Sequence, residues 1–151
     1  MALKIILLAE DNPKDVELTL EALTEHNLAN RVVVVRDGVE ALEYLRREGQ
    51  YKDRKEGDPA VILLDIKMPR MDGIETLRQI RADAALRTLR VVMLTSSREE
   101  QDVIKTYNLG VNAYVVKPVG FKEFVEAVKV VGIFWGVMNE LPPDGENGNG
   151  K

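Results

Sequence analysis

Five short apolar runs constrain the fold of this chain more than any other feature. They occupy residues 5–9, 32–35, 61–64, 91–94 and 114–116. The runs are rich in β-branched residues and do not alternate with polar residues, which is typical of strands buried on both faces. Strands of this kind belong to parallel sheets whose two faces are covered by helices. The runs therefore predict a buried parallel sheet.

Segments with the apolar period of a helix lie between the runs and after the last one. The first begins with Asn12, which suits a helix N-cap, and with Pro13 at the first helical position. The other helices are predicted over 39–47, from Gly73, over about 99–109 and from about Phe121. Strand and helix alternate five times, which predicts an α/β fold with right-handed crossovers.

The length of the chain, 151 residues, fits one domain. We expect that domain to cover residues 1–141, and we expect the low-complexity segment at 142–151, PPDGENGNGK, to be a disordered tail. The polar stretch at 49–59 is longer than most loops, and it is interpreted as a surface excursion before the third strand.

Composition excludes several classes of function. The net charge is −4 and no long basic run is present, which disfavours a nucleic-acid partner because DNA binding relies on Lys and Arg neutralising phosphates. The lack of cysteine excludes disulfides, thiolate metal sites and a cysteine nucleophile. No window reaches the roughly 18 apolar residues of a membrane span, and the N-terminal apolar run meets Glu10 too early for a signal peptide. We expect a cytoplasmic protein without a membrane partner.

Polar side chains follow the apolar runs. Arg36 and Asp37 follow the second run and add nothing obvious to a site, as expected if this strand is at the edge of the sheet. Glu10 and Asp11 follow the first run, Asp65 the third, Thr95 the fourth and Lys117 the fifth. In an open parallel sheet, ligands bind outside the carboxyl ends of the strands, where the strand order reverses. If the runs are neighbouring strands, their ends bring three carboxylates, a hydroxyl and an ammonium into one pocket.

This set of groups suits a magnesium ion and a phosphoryl group. Mg²⁺ prefers oxygen ligands and is bound through one or two carboxylates together with phosphate oxygens. The three carboxylates repel one another, and Mg²⁺ together with the Lys117 ammonium offsets their charge. An ionised carboxylate can accept a phosphoryl group without a general base, and Asp65 is the candidate nucleophile.

Four motifs together resemble the receiver domain of two-component response regulators, in order and in spacing. They are AEDNP at 9–13, LLDIKMPRMDG at 63–73, LTSS at 94–97 and YVVKP at 114–118. The resemblance covers about residues 3–134. It implies the flavodoxin-like fold, a doubly wound five-stranded parallel sheet with strand order 2-1-3-4-5.

The resemblance also implies roles for the pocket residues in a phosphorelay. Asp65 would accept a phosphoryl group from a histidine kinase. Asp11 would be a direct Mg²⁺ ligand, Glu10 a ligand acting through water, and the backbone carbonyl of Lys67 a further metal contact. The protein would be a phosphorylated signalling domain rather than an enzyme, with only self-catalysed phosphoryl transfer and autodephosphorylation.

Three further residues receive roles from the same resemblance. Thr95 would hydrogen-bond the phosphoryl group, Tyr114 would turn inward into the space released, and Lys117 would bridge the phosphate and the acidic cluster. Members of the family commonly have a cis peptide before the proline that corresponds to Pro118, an isomer that proline makes accessible.

A narrower resemblance connects the chain to stand-alone receivers that serve phytochrome-type histidine kinases. It rests on the loop at 49–59, the stretch at 108–128 and the ending GIFWGVMNELP. Apolar residues cover nearly all sides of the last helix over 130–138. We interpret this segment as a homodimer interface or kinase-docking surface that uses Phe134 and Trp135. The alternative is a helix buried more deeply in its own core.

Other functions fit the fold less well. A phosphohydrolase of the haloacid dehalogenase type carries a second Asp two residues after its nucleophile, where this chain has Lys67, so poor turnover is expected. A flavodoxin-like cofactor binder requires a phosphate-binding loop after the first strand, where AEDNP offers carboxylates instead. A phosphorylation-independent interaction module is the remaining alternative, and the complete pocket argues against it.

Overall fold

The computed structural model describes residues 4–24 and 30–131. Within these ranges five strands form one parallel sheet in the order β2-β1-β3-β4-β5. The strands are β1 (Lys4–Ala9), β2 (Asn30–Val35), β3 (Val61–Asp65), β4 (Val91–Thr95) and β5 (Ala113–Val116). The α-helices that alternate with them are α1 (Pro13–Thr24), α2 (Gly38–Arg46), α3 (Gly73–Ala82), α4 (Arg98–Lys105) and α5 (Phe121–Val131). The predicted flavodoxin-like fold and strand order are confirmed.

Both faces of the sheet are covered, which explains the apolar runs. Successive side chains of a strand point to opposite faces. Thus Leu7 belongs to an apolar cluster that includes residues of α2, α3 and α4, whereas Leu8 belongs to a cluster that includes residues of α1 and α5. All residues of β3 and β4 are buried. Two apolar layers therefore hold the sheet rigid, and polar function is confined to the ends of the strands.

The register of the strands aligns their carboxyl ends. Ala9 of β1 pairs with Leu64 of β3, so that Glu10 and Asp65, the next residues on each strand, are neighbours. Asp65 pairs with Leu94 of β4, which places the end of β4 beside the end of β3. The hydrophobic pattern that fixes this register thus also fixes which polar residues meet.

The fourth helix is shorter than predicted, because it ends at Lys105 and not near residue 109. The hydroxyl of Thr106 donates a 2.6 Å hydrogen bond to the carbonyl of Val103. The backbone of Asn108 and of Gly110 is left-handed, with φ of 53° and 73°, which a continuing helix does not permit. Asparagine and glycine tolerate this conformation, so the chain turns away before the predicted end.

The excursion at 49–59 is an ordered structure built on a buried arginine. A short 3-10 helix, Gly49–Tyr51, opens it. The guanidinium of Arg54 lies 4.2 Å from the ring centre of Tyr44 and donates a 2.9 Å hydrogen bond to the carbonyl of the same residue. The Arg54 side chain is only 2% exposed. The predicted surface excursion is therefore attached to α2 through Arg54, which composition alone did not single out, and a 2.6 Å hydrogen bond from the hydroxyl of Tyr51 to Glu40 adds to this attachment.

Some predictions fall on residues that the structure does not describe. These are the interface residues Phe134 and Trp135 and the tail at 142–151, which lie outside the described ranges. Among the described helices, none is long and apolar enough to cross a membrane.

Gly73 gives a test of how tightly the loop after β3 is packed. A Cβ atom at Gly73 would collide with the carbonyl oxygen of Asp65 and lie 3.0 Å from the Cα atom of Ile66. We expect Gly73→Ala to lower the free energy of unfolding by about 1–3 kcal/mol, as overpacking does. Urea unfolding measures the change. Gly57→Ala is the matched control, since nothing lies within 4 Å of its added Cβ atom. Equal midpoints for the two variants would contradict this packing.

Candidate acidic phosphoryl site

Three carboxylates gather at the carboxyl end of the sheet. One oxygen each of Glu10, Asp11 and Asp65 lies within 4.8 Å of the other two. Glu10 is 1% exposed and Asp65 5%, while Asp11 is half-buried. Buried carboxylates are rarely left without a partner, because desolvation disfavours their charge. An all-oxygen cluster of this size is the donor set that hard divalent cations prefer.

The ammonium of Lys117 reaches into this cluster from the end of β5. Its Nζ atom lies 3.1 Å from Oδ1 of Asp65 and 3.3 Å from Oε1 of Glu10. A third carboxylate, that of Asp15 on α1, lies at 3.0 Å. The peptide bond between Lys117 and Pro118 is cis, as the family resemblance implied. The structure thus brings together the acids and the lysine that the sequence placed at separate strand ends.

Burial, with repulsion between the acids, disfavours negative charge at this site. Burial, and then the charge of Asp65, raise the pKa of Glu10 to about 7, although Lys117 acts in the opposite direction. Burial also raises the pKa of Asp65, against the ammonium of Lys117. Burial alone would lower the pKa of Lys117, but the hydrogen bond to Asp15 and the charge of Asp65 outweigh it and raise that pKa. An added cation would relieve this imbalance.

Thr95 carries a hydroxyl that is buried and has no hydrogen-bond partner in the described part of the chain. It ends β4, next to the end of β3. Leaving a buried hydroxyl unpaired costs about 1–3 kcal/mol, which an acceptor entering the site would recover. The next residue, Ser96, is engaged differently, because its amide and hydroxyl both donate to Oε1 of Glu100, at 2.6 and 3.0 Å.

Tyr114 lies on β5 beside Lys105 of α4. Its ring is half-buried on β5, and the Nζ atom of Lys105 lies 5.5 Å from the ring centre. Burial raises the pKa of the phenol. Tyr114 lines a cavity of about 950 Å³ along β5 and α5. Lys67, whose backbone carbonyl is a predicted metal contact, is exposed in the loop after β3.

Two features of the site were not predicted from the sequence. Asp15 lies in the first turn of α1, four residues after Asp11, and this spacing is the signal that could have identified it. Asp37 seemed to contribute nothing, yet it accepts hydrogen bonds from the guanidinium of Arg70 at 2.8 and 3.2 Å and from the amide of Glu40 at 2.8 Å. These contacts tie the loop after β3, which follows Asp65, to the start of α2.

The comparison with protein families identifies the class of protein. A family model described as the response regulator receiver domain matches residues 6–129. The match covers most of the chain and includes all the residues of the acidic site. The chain therefore belongs to the receiver-domain family of response regulators.

Individual relatives narrow this class to regulators linked to phytochromes. The bacteriophytochrome response regulator RtBRR is 60% identical, with a TM-score of 0.85 over 94% of this chain and 86% of its own. Response regulator Rcp1 of Synechocystis sp. is 36% identical over 92% of this chain and 93% of its own length. The Mn(2+)-bound structure of Rcp1 is 37% identical, with a TM-score of 0.69 over 92% of this chain and 99% of that chain.

A third relative is the cyanobacterial phytochrome response regulator RcpA, solved in its phosphorylated form. It is 41% identical, with a TM-score of 0.70 over 89% of this chain and 94% of that chain. The chain is thus a response regulator related to those of phytochromes.

The raised pKa of Glu10 predicts how stability depends on pH when no metal is present. The folded pKa of about 7 exceeds the ordinary value of 4.5, so the folded protein holds a proton that the unfolded chain has lost between these values. Stability should therefore fall as pH rises from about 5 to about 7, by about 1–3 kcal/mol. Urea unfolding in the presence of a chelator measures this dependence.

A variant without the titrating group provides the comparison. Glu10→Gln should lose most of the pH dependence in this range, whereas Glu17→Gln, an exposed acid of α1, should retain it. If Glu10→Gln kept the full dependence of the parent protein, the assignment to Glu10 would be wrong.

Proposed function

We propose that the protein is a phosphorylation switch in which Asp65 accepts a phosphoryl group from the phosphohistidine of a histidine kinase. The observation that carries this proposal is the 3.1 Å contact between Nζ of Lys117 and Oδ1 of Asp65 inside a buried acidic cluster. Membership of the receiver family supports it.

The acidic cluster fits a magnesium ion. Its donors are oxygens and its charge is negative, and burial together with the charge of Asp65 raises the pKa of Glu10, an effect that a bound cation would oppose. Asp11 and Asp65 would bind Mg²⁺ directly, Glu10 through water, and the carbonyl of Lys67 would complete the protein ligands. When bound, Mg²⁺ neutralises charge on the phosphoryl oxygens. A Mn(2+)-bound form of the related response regulator Rcp1 supports a divalent metal in this protein.

The transfer step requires only the ionised carboxylate of Asp65 and groups that neutralise the charge on the phosphoryl oxygens. An oxygen of Asp65 attacks the phosphorus, and a new O–P bond forms as the P–N bond to the donor histidine breaks. The electron pair of the broken bond stays on the imidazole nitrogen. The ammonium of Lys117 bonds a phosphoryl oxygen and stabilises the charge that it carries in the transition state. Water attacking the same phosphorus later releases inorganic phosphate and restores Asp65.

The switch itself would use the two residues beside the site. The hydroxyl of Thr95 is buried without a partner, so a phosphoryl oxygen would give it the acceptor that it lacks. Tyr114 would then turn inward and change the surface formed by α4, β5 and α5. A local bond would in this way bias a two-state surface, as phosphorylation switches do.

The proposed partner is a phytochrome-type histidine kinase in the cytoplasm. Its support is the similarity to RtBRR and RcpA, whose names link them to phytochromes. Homodimerisation through Phe134 and Trp135 stays a prediction, and the particle mass of the protein in solution tests it. No nucleic-acid or membrane partner is proposed.

Acetyl phosphate tests the phosphoryl acceptor without a kinase. In the presence of Mg²⁺, the intact mass of the parent protein should rise by one phosphoryl group, because the leaving acetate replaces the histidine in the same step. Asp65→Asn should gain none, since the amide is not a nucleophile for this reaction.

Two controls complete the experiment. Asp53→Asn, at an exposed aspartate of the loop at 49–59, should gain mass like the parent. A chelator should abolish the gain in both proteins. A mass increase in Asp65→Asn equal to that of the parent would overturn the proposal, and rapid repeated hydrolysis of a generic phosphoester would favour a phosphohydrolase.

A further inference from the structure

Asp15 makes the shortest contact with the ammonium of Lys117. Its Oδ2 atom lies 3.0 Å from Nζ, compared with 3.1 Å for Asp65 and 3.3 Å for Glu10. The ammonium donates hydrogen bonds to Asp15 and Glu10, and it forms an ion pair with Asp65. Asp15 is nevertheless not part of the cluster formed by Glu10, Asp11 and Asp65.

The role inferred for Asp15 rests on the proposed phosphorylation of Asp65, during which Asp15 and the clustered acids would behave differently. Phosphorylation would turn Asp65 into an acyl phosphate, and Glu10 would face the metal and its water. Both acceptors then hold the ammonium less firmly than before. Asp15 neither receives the phosphoryl group nor binds the metal, so its carboxylate remains available to Lys117 throughout.

We infer that Asp15 is a positioning residue for Lys117. It anchors the ammonium at the mouth of the site from the first turn of α1, which is a rigid support because Asn12 caps the helix through hydrogen bonds from the amides of Lys14 and Asp15, at 2.9 and 3.1 Å. The Asp15 contact leaves the ammonium facing Asp65, ready for the phosphoryl oxygens. Positioning of this kind lowers the entropy lost when the reacting groups meet.

Asp15 also has an ordinary structural role in α1, and the test must distinguish this role from the positioning of Lys117. An acid in the first turn stabilises a helix through its dipole, and Asp15 lies in that turn of α1. Its negative charge would also repel an incoming phosphate. The positioning role predicts slower phosphorylation when Asp15 is replaced, the repulsion predicts faster phosphorylation, and the structural role alone predicts no change at Lys117.

The experiment compares the parent with Asp15→Asn, Asp15→Glu and Glu17→Gln. Glu17→Gln removes the same charge from an exposed position on the same helix and is the matched control. Two quantities are measured for each protein. The first is the NMR signal of the Lys117 ammonium in isotope-labelled protein, without phosphate donor. The second is the rate at which acetyl phosphate and Mg²⁺ phosphorylate the protein.

A slowly exchanging Lys117 signal is expected in the parent and in Glu17→Gln and should be lost in Asp15→Asn. The phosphorylation rate of Asp15→Asn should fall about fivefold, less than the loss of about 10²–10³ seen when a charge-stabilising donor itself is removed. Asp15→Glu should restore most of the signal and of the rate. Urea unfolding confirms that the variants are folded.

The possible outcomes distinguish a failure of the positioning role of Asp15 from a failure of the proposed phosphorylation of Asp65. An unchanged Lys117 signal, or a rate in Asp15→Asn equal to or above that of the parent, would overturn the positioning role. If the parent is not phosphorylated at all, the proposed function fails, and the positioning role for that reaction fails with it. A rate loss in Asp15→Asn that Asp15→Glu and Glu17→Gln do not share supports the inference.

Discussion

The ammonium of Lys117 lies among carboxylates from three elements, and the properties of the acidic site depend on this contact. Its Nζ atom is 3.0–3.3 Å from oxygens of Asp15, Asp65 and Glu10. Unit charges about 4 Å apart interact by roughly 4 kcal/mol near a protein surface, so neighbouring carboxylates need a cation to stay ionised together. Burial and the charge of Asp65 raise the pKa of Glu10 in spite of this ammonium. A divalent cation would offset both effects and allow an anionic phosphoryl group to approach.

The rest of the fold holds these charges in place. Two apolar layers fix the register of the strands, and the register places Glu10 beside Asp65. The loop after β3 is then held from outside by Asp37, which binds Arg70, and by a 3.1 Å hydrogen bond from the amide of Gly38 to the carbonyl of Met71. Two features of the site are unfavourable in the absence of a ligand: the raised pKa of Glu10 and the unpaired hydroxyl of Thr95. In the proposed switch, a bound cation would oppose the first and a phosphoryl oxygen would pair the second.

The sequence predicted the fold class because strand ends, apolar runs and helix starts are local signals. The acids and the lysine directly after strands followed from the same signals, and the strand order followed from the family resemblance. The features that were missed depend on partners far apart in the chain: Asp15 meets Lys117 across 102 residues and Arg70 meets Asp37 across 33. Asp15 lies on a helix and not at a strand end, so the rule that found the other acids passed over it. The end of α4 was misplaced because two left-handed residues, and not the apolar pattern, end that region.

A crystal structure of the protein with Mg²⁺ and beryllium fluoride, a mimic of a bound phosphoryl group, would show whether Lys117 and the acidic cluster act together on Asp65. We expect beryllium bonded to a carboxylate oxygen of Asp65, with Mg²⁺ held by the acidic cluster and Nζ of Lys117 donating a hydrogen bond to a fluoride. Fluoride bound elsewhere, or a Lys117 side chain turned to solvent in that complex, would contradict this expectation.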